Sequence, residues 1–316
     1  MKVVVALLVG FMAAGASYAG QARGGRGAQP PGPSVTVNGQ TWTQQSLFQR
    51  NVGGPDDMTT PFPPHKVIGN IYYVGTEDIG IYLITTPDGD ILIDGGLAKT
   101  VPLVEQNIAK LGFKISDVKI MLNSHAHFDH ASGLAELKRD SGAKFYASAA
   151  DAPILERGYI TFGPSANYHF PRVNVDHIVK DGEQISLGGA VLTAHLTPGH
   201  TPGCTSWTMP VKESGVMHNA IFYCSTSVAD NPLVDNPQYP TIASDYRASF
   251  AKLRTIDADV FLAPHALFFH PQEKLAKVKP AAPNPFVDPG ELHRFLDESE
   301  RNFDEELAKQ QKAQAH

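Results

Sequence analysis

Six residues, His125-Ala126-His127-Phe128-Asp129-His130, restrict this chain more than any other stretch. They follow a strand-like run, Val118-Lys119-Ile120-Met121-Leu122, and lead into a helix-like one from Gly133 to Arg139. Imidazoles crowded beside a carboxylate where a strand gives way to a helix cost solvation without returning packing, unless they bind something. A lone histidine in a strand would carry no such weight. His125 and His127 are two apart, so local strand geometry points them to one side. Asp129 keeps the alternation, and His130 follows where the chain turns into its helix. One loop can thus offer two ligands to one metal ion and two more to a neighbour about 3.5 Å away, the spacing of two-metal hydrolytic sites.

The N-terminus reads as an export signal over residues 1–19. Lys2 supplies the positive start, Val3 to Met12 the apolar run, and Ser17-Tyr18-Ala19 the small-x-small pattern before the expected cut. That run is too short for a comfortable membrane span, and no later one is long enough. No cysteine follows it to take a lipid. The expectation is a mature, soluble, monomeric chain in a bacterial periplasm, with a flexible leader over residues 20–40 and one catalytic domain over residues 41–316. A formal charge of −6 without a basic stripe argues against nucleic acid as a partner. Glycine and proline, 28 and 24 residues, suit a loop-rich α/β hydrolase better than a helical bundle.

The segment from Trp42 to Pro64 is expected to pack over the mouth of a site. Strand-like runs follow at Lys66-Val67, Ile71 to Val74, Ile79 to Thr85 and Asp90 to Asp94, the last two joined by a turn at Pro87-Asp88-Gly89. Asp94, at the end of its strand, is a candidate for orienting a ligand or the metal-loop backbone, with a turn or capping role equally open. A helix from Val101 to Leu111, a strand over Lys144 to Ala147 and a helix from Ala149 to Arg157 complete a mixed sheet with helices on one side. The loop from Gly158 to Val173 carries aromatics that either line a substrate groove or belong to the core.

A second strand-rich half begins near Val175. Strands at Gln184 to Leu187 and Ala190 to His195 lead to His200, bracketed by Pro198-Gly199 and Pro202-Gly203. Ser206 to Met209 and Ala220 to Cys224 read as a hairpin around Glu213-Ser214-Gly215. Cys204 and Cys224 are equidistant from Ser214, so antiparallel pairing about that centre sets them opposite each other. That favours a disulfide over two buried thiols, although a slip of one residue would put them on opposite faces. Ile242, Tyr246, Phe250 and Leu253 mark one helix face. Asp259 to Ala263 is a strand that hands over His265, and a long amphipathic helix through Leu292, Leu296, Phe303 and Leu307 closes the chain, frayed from Lys309.

Two metal sites can be assembled from this inventory. His125, His127 and His200 form one, and Asp129, His130 and His265 the other, each with room for water. Neutral nitrogen and carboxylate donors suit zinc, with manganese or iron open on ligand type alone. A water shared by two such ions ionises near neutral pH, so no serine or cysteine nucleophile is needed. No Gly-x-Ser-x-Gly elbow is present to supply one.

The loop from His125 to His130, with His200 and His265, resembles the metallo-β-lactamase superfamily. The resemblance extends over everything after about residue 40. It implies an αββα sandwich of two mixed sheets with helices outside. Many relatives, glyoxalase II-like thioesterases and lactonases among them, carry an aspartate that bridges the metals. Here that region reads Phe222-Tyr223-Cys224-Ser225-Thr226-Ser227, with no carboxylate before Asp230. The pattern is most similar to the third subclass of zinc-dependent β-lactamases. It implies two Zn2+ ions and hydrolysis of the amide bond of a β-lactam antibiotic by a metal-bridging hydroxide. Asp129 then orients the hydroxide, and Ser225, Thr226 or Ser227 binds the drug's carboxylate. A periplasmic lactone or thioester hydrolase with the same centre is the alternative; a mononuclear iron oxygenase and a decayed binding protein stand behind it.

Overall fold

Parallel neighbours in a sheet need a crossover, usually helical, to bring the chain back, and the order of the described elements follows that rule. The computed structural model describes residues 34–37, 40–43, 58–166 and 168–314. The expected signal peptide lies outside these residues, as does most of the Trp42–Pro64 segment. β1 (Ser34–Val37) and β2 (Gln40–Thr43) pair antiparallel. Regular structure therefore begins inside the stretch expected to be leader.

The first sheet has seven strands in chain order. β3 (His65–Ile68), β4 (Ile71–Tyr73), β5 (Tyr82–Ile84) and β6 (Asp90–Ile93) run antiparallel. β7 (Val118–Leu122), β8 (Lys144–Ser148) and β9 (His177–Val179) then add in parallel. The crossovers carry α1 (Val101–Lys110), a single turn α2 (Phe128–Ala131), α3 (Leu134–Ser141) and α4 (Ala152–Arg157). α1 has Pro102 in its first turn, where the missing N–H costs nothing, and buries Val104 and Ile108. α3 stops at Gly142, which takes the left-handed conformation of a helix C-cap.

The second sheet has five strands, β10 (Gln184–Leu187), β11 (Ala190–Leu196), β12 (Thr205–Glu213), β13 (Val216–Phe222) and β14 (Val260–Leu262). Only β13 and β14 are parallel, joined through α5 (Ile242–Leu253). α6 (Ala266–Phe269) and α7 (Pro271–Lys277) follow, then α8 (Glu291–Gln314). The two mixed sheets with helices outside form the αββα sandwich. The core is continuous; Trp207, Tyr73, Phe145, Phe250, Phe261 and Phe303 are among its largest fully buried side chains.

Three expectations need correction, and one stretch went unread. The second half does not begin at Val175, because β9 pairs with β8 and belongs to the first sheet. The short helices after His265 carry no periodicity long enough to be read from sequence. α8 does not fray at Lys309: the Gln310 amide accepts from Leu233 N and donates to Asn231 O, which holds the last turns down. The β12–β13 register is also one residue off. Ser214 and Gly215 both take positive φ, 49° and 89°, as a two-residue type I′ turn requires. The centre of the hairpin therefore falls between them, and Glu213 pairs with Val216.

That register would set Cys204 opposite Ser225. The disulfide between Cys204 and Cys224 forms nonetheless, with Cα atoms 5.9 Å apart. Both cysteines lie beyond the ladder, where Tyr223 N has turned to Leu262 O and Cys224 N to Ser206 Oγ. Off the ladder the facing rule no longer binds.

Candidate metal centre

β6 and β7 are adjacent parallel strands, so their C-terminal ends open on one edge of the first sheet. At the end of β6, Asp94 takes a left-handed φ of 66°, a conformation that aspartate tolerates better than most side chains. It turns its carboxylate onto the loop after β7. Ser124 N donates to Oδ1 at 2.7 Å, Ser124 Oγ to Oδ2 at 2.6 Å, and Asn123 Nδ2 to Oδ1 at 3.3 Å. Gly95 N donates to His130 O. The structure thus places Asp94 behind the histidine loop, gripping its backbone.

The loop's side chains meet those of two others. His127 Nδ1 lies 3.0 Å from His200 Nε2, and His130 Nε2 lies 3.1 Å from His265 Nε2. Asp129 Oδ2 is 3.5 Å from His130 Nε2 and 3.6 Å from His265 Nε2. Donor atoms of His125, His127 and His200 all fall within 4.8 Å of one another, as do those of His125, Asp129 and His130. The five histidines are buried, and Asp129 keeps partial exposure. All six residues singled out from the sequence therefore converge, in two triads that share one loop.

On three of the rings, hydrogen bonds on the far side decide what faces inward. Ser124 Oγ gives its proton to Asp94, so it accepts from His125 Nδ1 at 3.0 Å and leaves Nε2 with a lone pair. That Nε2 is buried with no hydrogen-bond partner. His200 Nδ1 donates to Ser227 O at 2.7 Å, and His265 Nδ1 to Asp78 Oδ2 at 2.9 Å. Each again turns Nε2 inward as an acceptor. His127 Nδ1 and His130 Nε2 lie 3.0–3.1 Å from the inward Nε2 atoms of His200 and His265, a spacing that a proton on one ring or a cation between the two satisfies. This donor set fits a pair of metal ions, and His125, His200 and His265 each have the outer partner that such sites use to fix a tautomer.

Electrostatics separate the rings. Burial, reinforced by neighbouring imidazoles, drives His125, His127 and His130 well below the ordinary histidine range. Burial brings His200 down to about 4, with the Ser227 carbonyl working the other way. For His265 burial pulls down, but Asp78, Asp129 and Asp94 together outweigh it and leave the ring raised. Neutral imidazole is the form that binds metal, so the first triad is ready without losing a proton.

The sequence missed two partners. Asp78 stands in a turn before Ile79, with no pattern around it to mark it out. Asp151, which the sequence placed without distinction inside a helix, sits at the start of α4, and its carboxylate takes Ala126 N, Thr201 Oγ1 and Gly203 N. The Ser225–Ser227 stretch behaves differently from expectation. Thr226 Oγ1 is buried between Tyr223 OH (2.5 Å) and Ser299 Oγ of α8 (2.6 Å), so it is committed away from any substrate. Ser225 is buried, with Oγ accepting from Ser227 N. Ser227 contributes its backbone carbonyl, shared by His200 Nδ1 and Tyr246 OH. Ile160, Phe162, Tyr168 and Phe170 place the 158–173 loop mostly in the core, with Tyr168 packed on Phe128 of the histidine loop.

A family profile described as the metallo-beta-lactamase superfamily matches residues 75–265. Among solved structures, the chain is 47% identical to a subclass B3 metallo-beta-lactamase of Bradyrhizobium japonicum, over 81% of this chain and 98% of that one, with a TM-score of 0.78. It is 44% identical to a native metallo-beta-lactamase from Legionella gormanii, over 80% and 98%, with a TM-score of 0.77. Among curated proteins it is 29% identical to a hydroxyacylglutathione hydrolase of Hyphomonas neptunium over 36% of each chain. An N-acyl homoserine lactonase of Bacillus cereus is 24% identical over 43% of this chain and 60% of that one. The match thus spans about a third of the first curated relative and under two thirds of the second.

Proposed function

The chain belongs to the metallo-beta-lactamase superfamily, a metal-dependent hydrolase fold, and on that premise we propose that it opens the amide bond of β-lactams with two zinc ions. One observation carries the choice of substrate. Where thioesterase and lactonase relatives are expected to supply a bridging aspartate, this chain has Cys224 locked to Cys204, then Ser225, Thr226 and Ser227. The two triads are complete without a further carboxylate. Likeness to solved β-lactamases over nearly their whole length supports the same choice.

Ions held by His125, His127 and His200 and by Asp129, His130 and His265 would supply Lewis acidity and an ionised water. The chain's own part is preorganisation. Ser227 O and Asp78 fix the rings of His200 and His265, so neither needs to reorient when substrate arrives. Asp129 holds negative charge between His130 and His265, positioned to accept a hydrogen bond from an attacking water. Burial of the five imidazoles excludes bulk water, which strengthens each of these interactions.

The curated relatives favour a second reading, hydrolysis of an acyl thioester or a lactone by the same centre. Export to the periplasm and a monomeric state belong to the proposal and rest on the sequence. Among the described residues no helix is long and apolar enough to cross a membrane.

A substrate panel on one metal-analysed sample tests the choice. Nitrocefin, a penicillin and a carbapenem should be turned over in a chelator-sensitive way, faster than a homoserine lactone or a glutathione thioester. Turnover of the thioester or lactone with no β-lactam opening would replace the first reading by the second.

A further inference from the structure

Asp151 occupies the N-cap position of α4 (Ala152–Arg157). An aspartate there ordinarily accepts an N–H from the first turn of its own helix. Here it makes no such side-chain bond. Its carboxylate is fully withdrawn from solvent and satisfied elsewhere. Oδ2 accepts Ala126 N at 2.9 Å and Thr201 Oγ1 at 3.0 Å, and Oδ1 accepts Gly203 N at 2.9 Å.

These partners come from the two loops that must meet to build the first triad. Ala126 lies between His125 and His127, and Thr201 follows His200. The first loop leaves the first sheet after β7, and the second joins β11 to β12 of the other. We propose that Asp151 is a positioning residue for the first triad, its carboxylate setting how closely the loop of His125 and His127 approaches the loop of His200. The inference rests on the two-metal reading of the centre and is independent of the substrate.

A second feature fits the same role. Ser148 Oγ donates to Gly203 O at 2.8 Å, so the turn after β8 grips Gly203 from both sides. A Cβ on Gly203 would lie 2.1 Å from Ser148 Oγ and 2.5 Å from both Asp151 Cγ and Asp151 N. Only glycine allows that approach. The loop of His265 is fastened by other bonds, Ala266 N to Asp78 O and Gly80 N to Pro264 O. Asp151 touches neither, so its removal should act on one triad and spare the other.

The test is metal affinity rather than turnover. Zinc binding is titrated against a chromophoric chelator, with the cobalt-substituted absorption spectrum as a second readout and apo-protein melting as a control for folding. His200→Ala and His265→Ala assign the two binding phases to their triads. Asp151→Asn puts an amide where three donors converge and should weaken the first phase by roughly 10–100-fold, the usual cost of outer-shell changes, with the second phase unchanged. Thr201→Val, nearly isosteric, should give a smaller loss in the same phase without lowering the apo melting temperature, and Thr201→Ser should restore the parent value. Asp78→Asn should show the mirror image, weakening the second phase and leaving the first unchanged. Unchanged affinities in Asp151→Asn and Thr201→Val would overturn the inference, as would losses shared equally by both phases. A parent chain that binds no metal would overturn the two-metal reading itself and this inference with it.

Discussion

The two triads are built from one plan and end with different charge. Each takes two side chains from the loop after β7 and one histidine from a loop that leaves a strand of the second sheet. Burial takes His200 down to about 4 against the weak pull of its neutral carbonyl partner, whereas for His265 the Asp78 carboxylate, with Asp129 and Asp94, outweighs burial and leaves the ring raised. The first triad is therefore three neutral imidazoles. The second concentrates negative charge from Asp129 and Asp78 around its imidazoles. The same ligand type on the same scaffold is tuned by what touches the far side of its ring, a carboxylate partner making the imidazole more basic and its metal bond stronger.

The comparison breaks most sharply at the ligands. His200→Ala should remove most hydrolysis, more than the roughly 100-fold that an outer-shell change costs. It should leave one ion bound per chain at limiting zinc, read by metal analysis after gel filtration. Loss of both ions would mean that the triads are not separable. Metal removal by a chelator should abolish turnover and zinc should restore it.

The cross-link lies on the first triad's side, with Cys224 Sγ 3.2 Å from Ser124 O. Replacing both Cys204 and Cys224 by alanine should cost about 3 kcal/mol of stability in urea unfolding, for a closed loop of this length. The second triad's zinc affinity in the folded variant should not move. Asp78→Asn keeps a hydrogen-bond acceptor and deletes the charge. By its effect on His265 it should weaken the second ion by roughly 1.4–2.7 kcal/mol, the 10–100-fold of an outer-shell partner. An equal effect on the first ion would dissolve the contrast.

The smallest effect concerns residues that reach His200 through others. Gln310→Ala removes two hydrogen bonds to the 231–233 segment, and Asn231 Nδ2 in turn reaches His200 O at 3.4 Å. A loss of about 1–2 kcal/mol in thermal or urea unfolding is expected from two such bonds, with KM unchanged. Thr226→Val should likewise leave KM unchanged, since its hydroxyl is spent on Tyr223 and Ser299; a raised KM would return Thr226 to the substrate.

Much of the fold was legible because its signals are local. Val118–Leu122 is apolar almost throughout and is the strand expected of it. Ile242, Tyr246, Phe250 and Leu253 repeat at helical spacing and are the buried face of α5. The six donor residues were legible for another reason: a metal centre constrains residue type so strongly that chemistry replaces periodicity as the signal. Partners whose role depends on a contact far along the chain were not legible. Asp78 and His265 are separated by 187 residues, and nothing near either one encodes the other. Asp151 carried no signal of its own, lying within the helix expected from Ala149 to Arg157. The allegiance of β9 and the β12–β13 register failed similarly: pairing partners are settled across space, and a two-residue turn moves a register by one without changing composition.

By itself, then, the amino-acid sequence determined which side chains can bind metal and which segments are strand or helix, since both follow from residue type and short-range pattern. Only the tertiary structure decided how those side chains are aimed and charged. Orientation and protonation depend on hydrogen bonds to Ser227 O, Asp78, Asp94 and Asp151, which exist only once the two sheets have brought distant segments together.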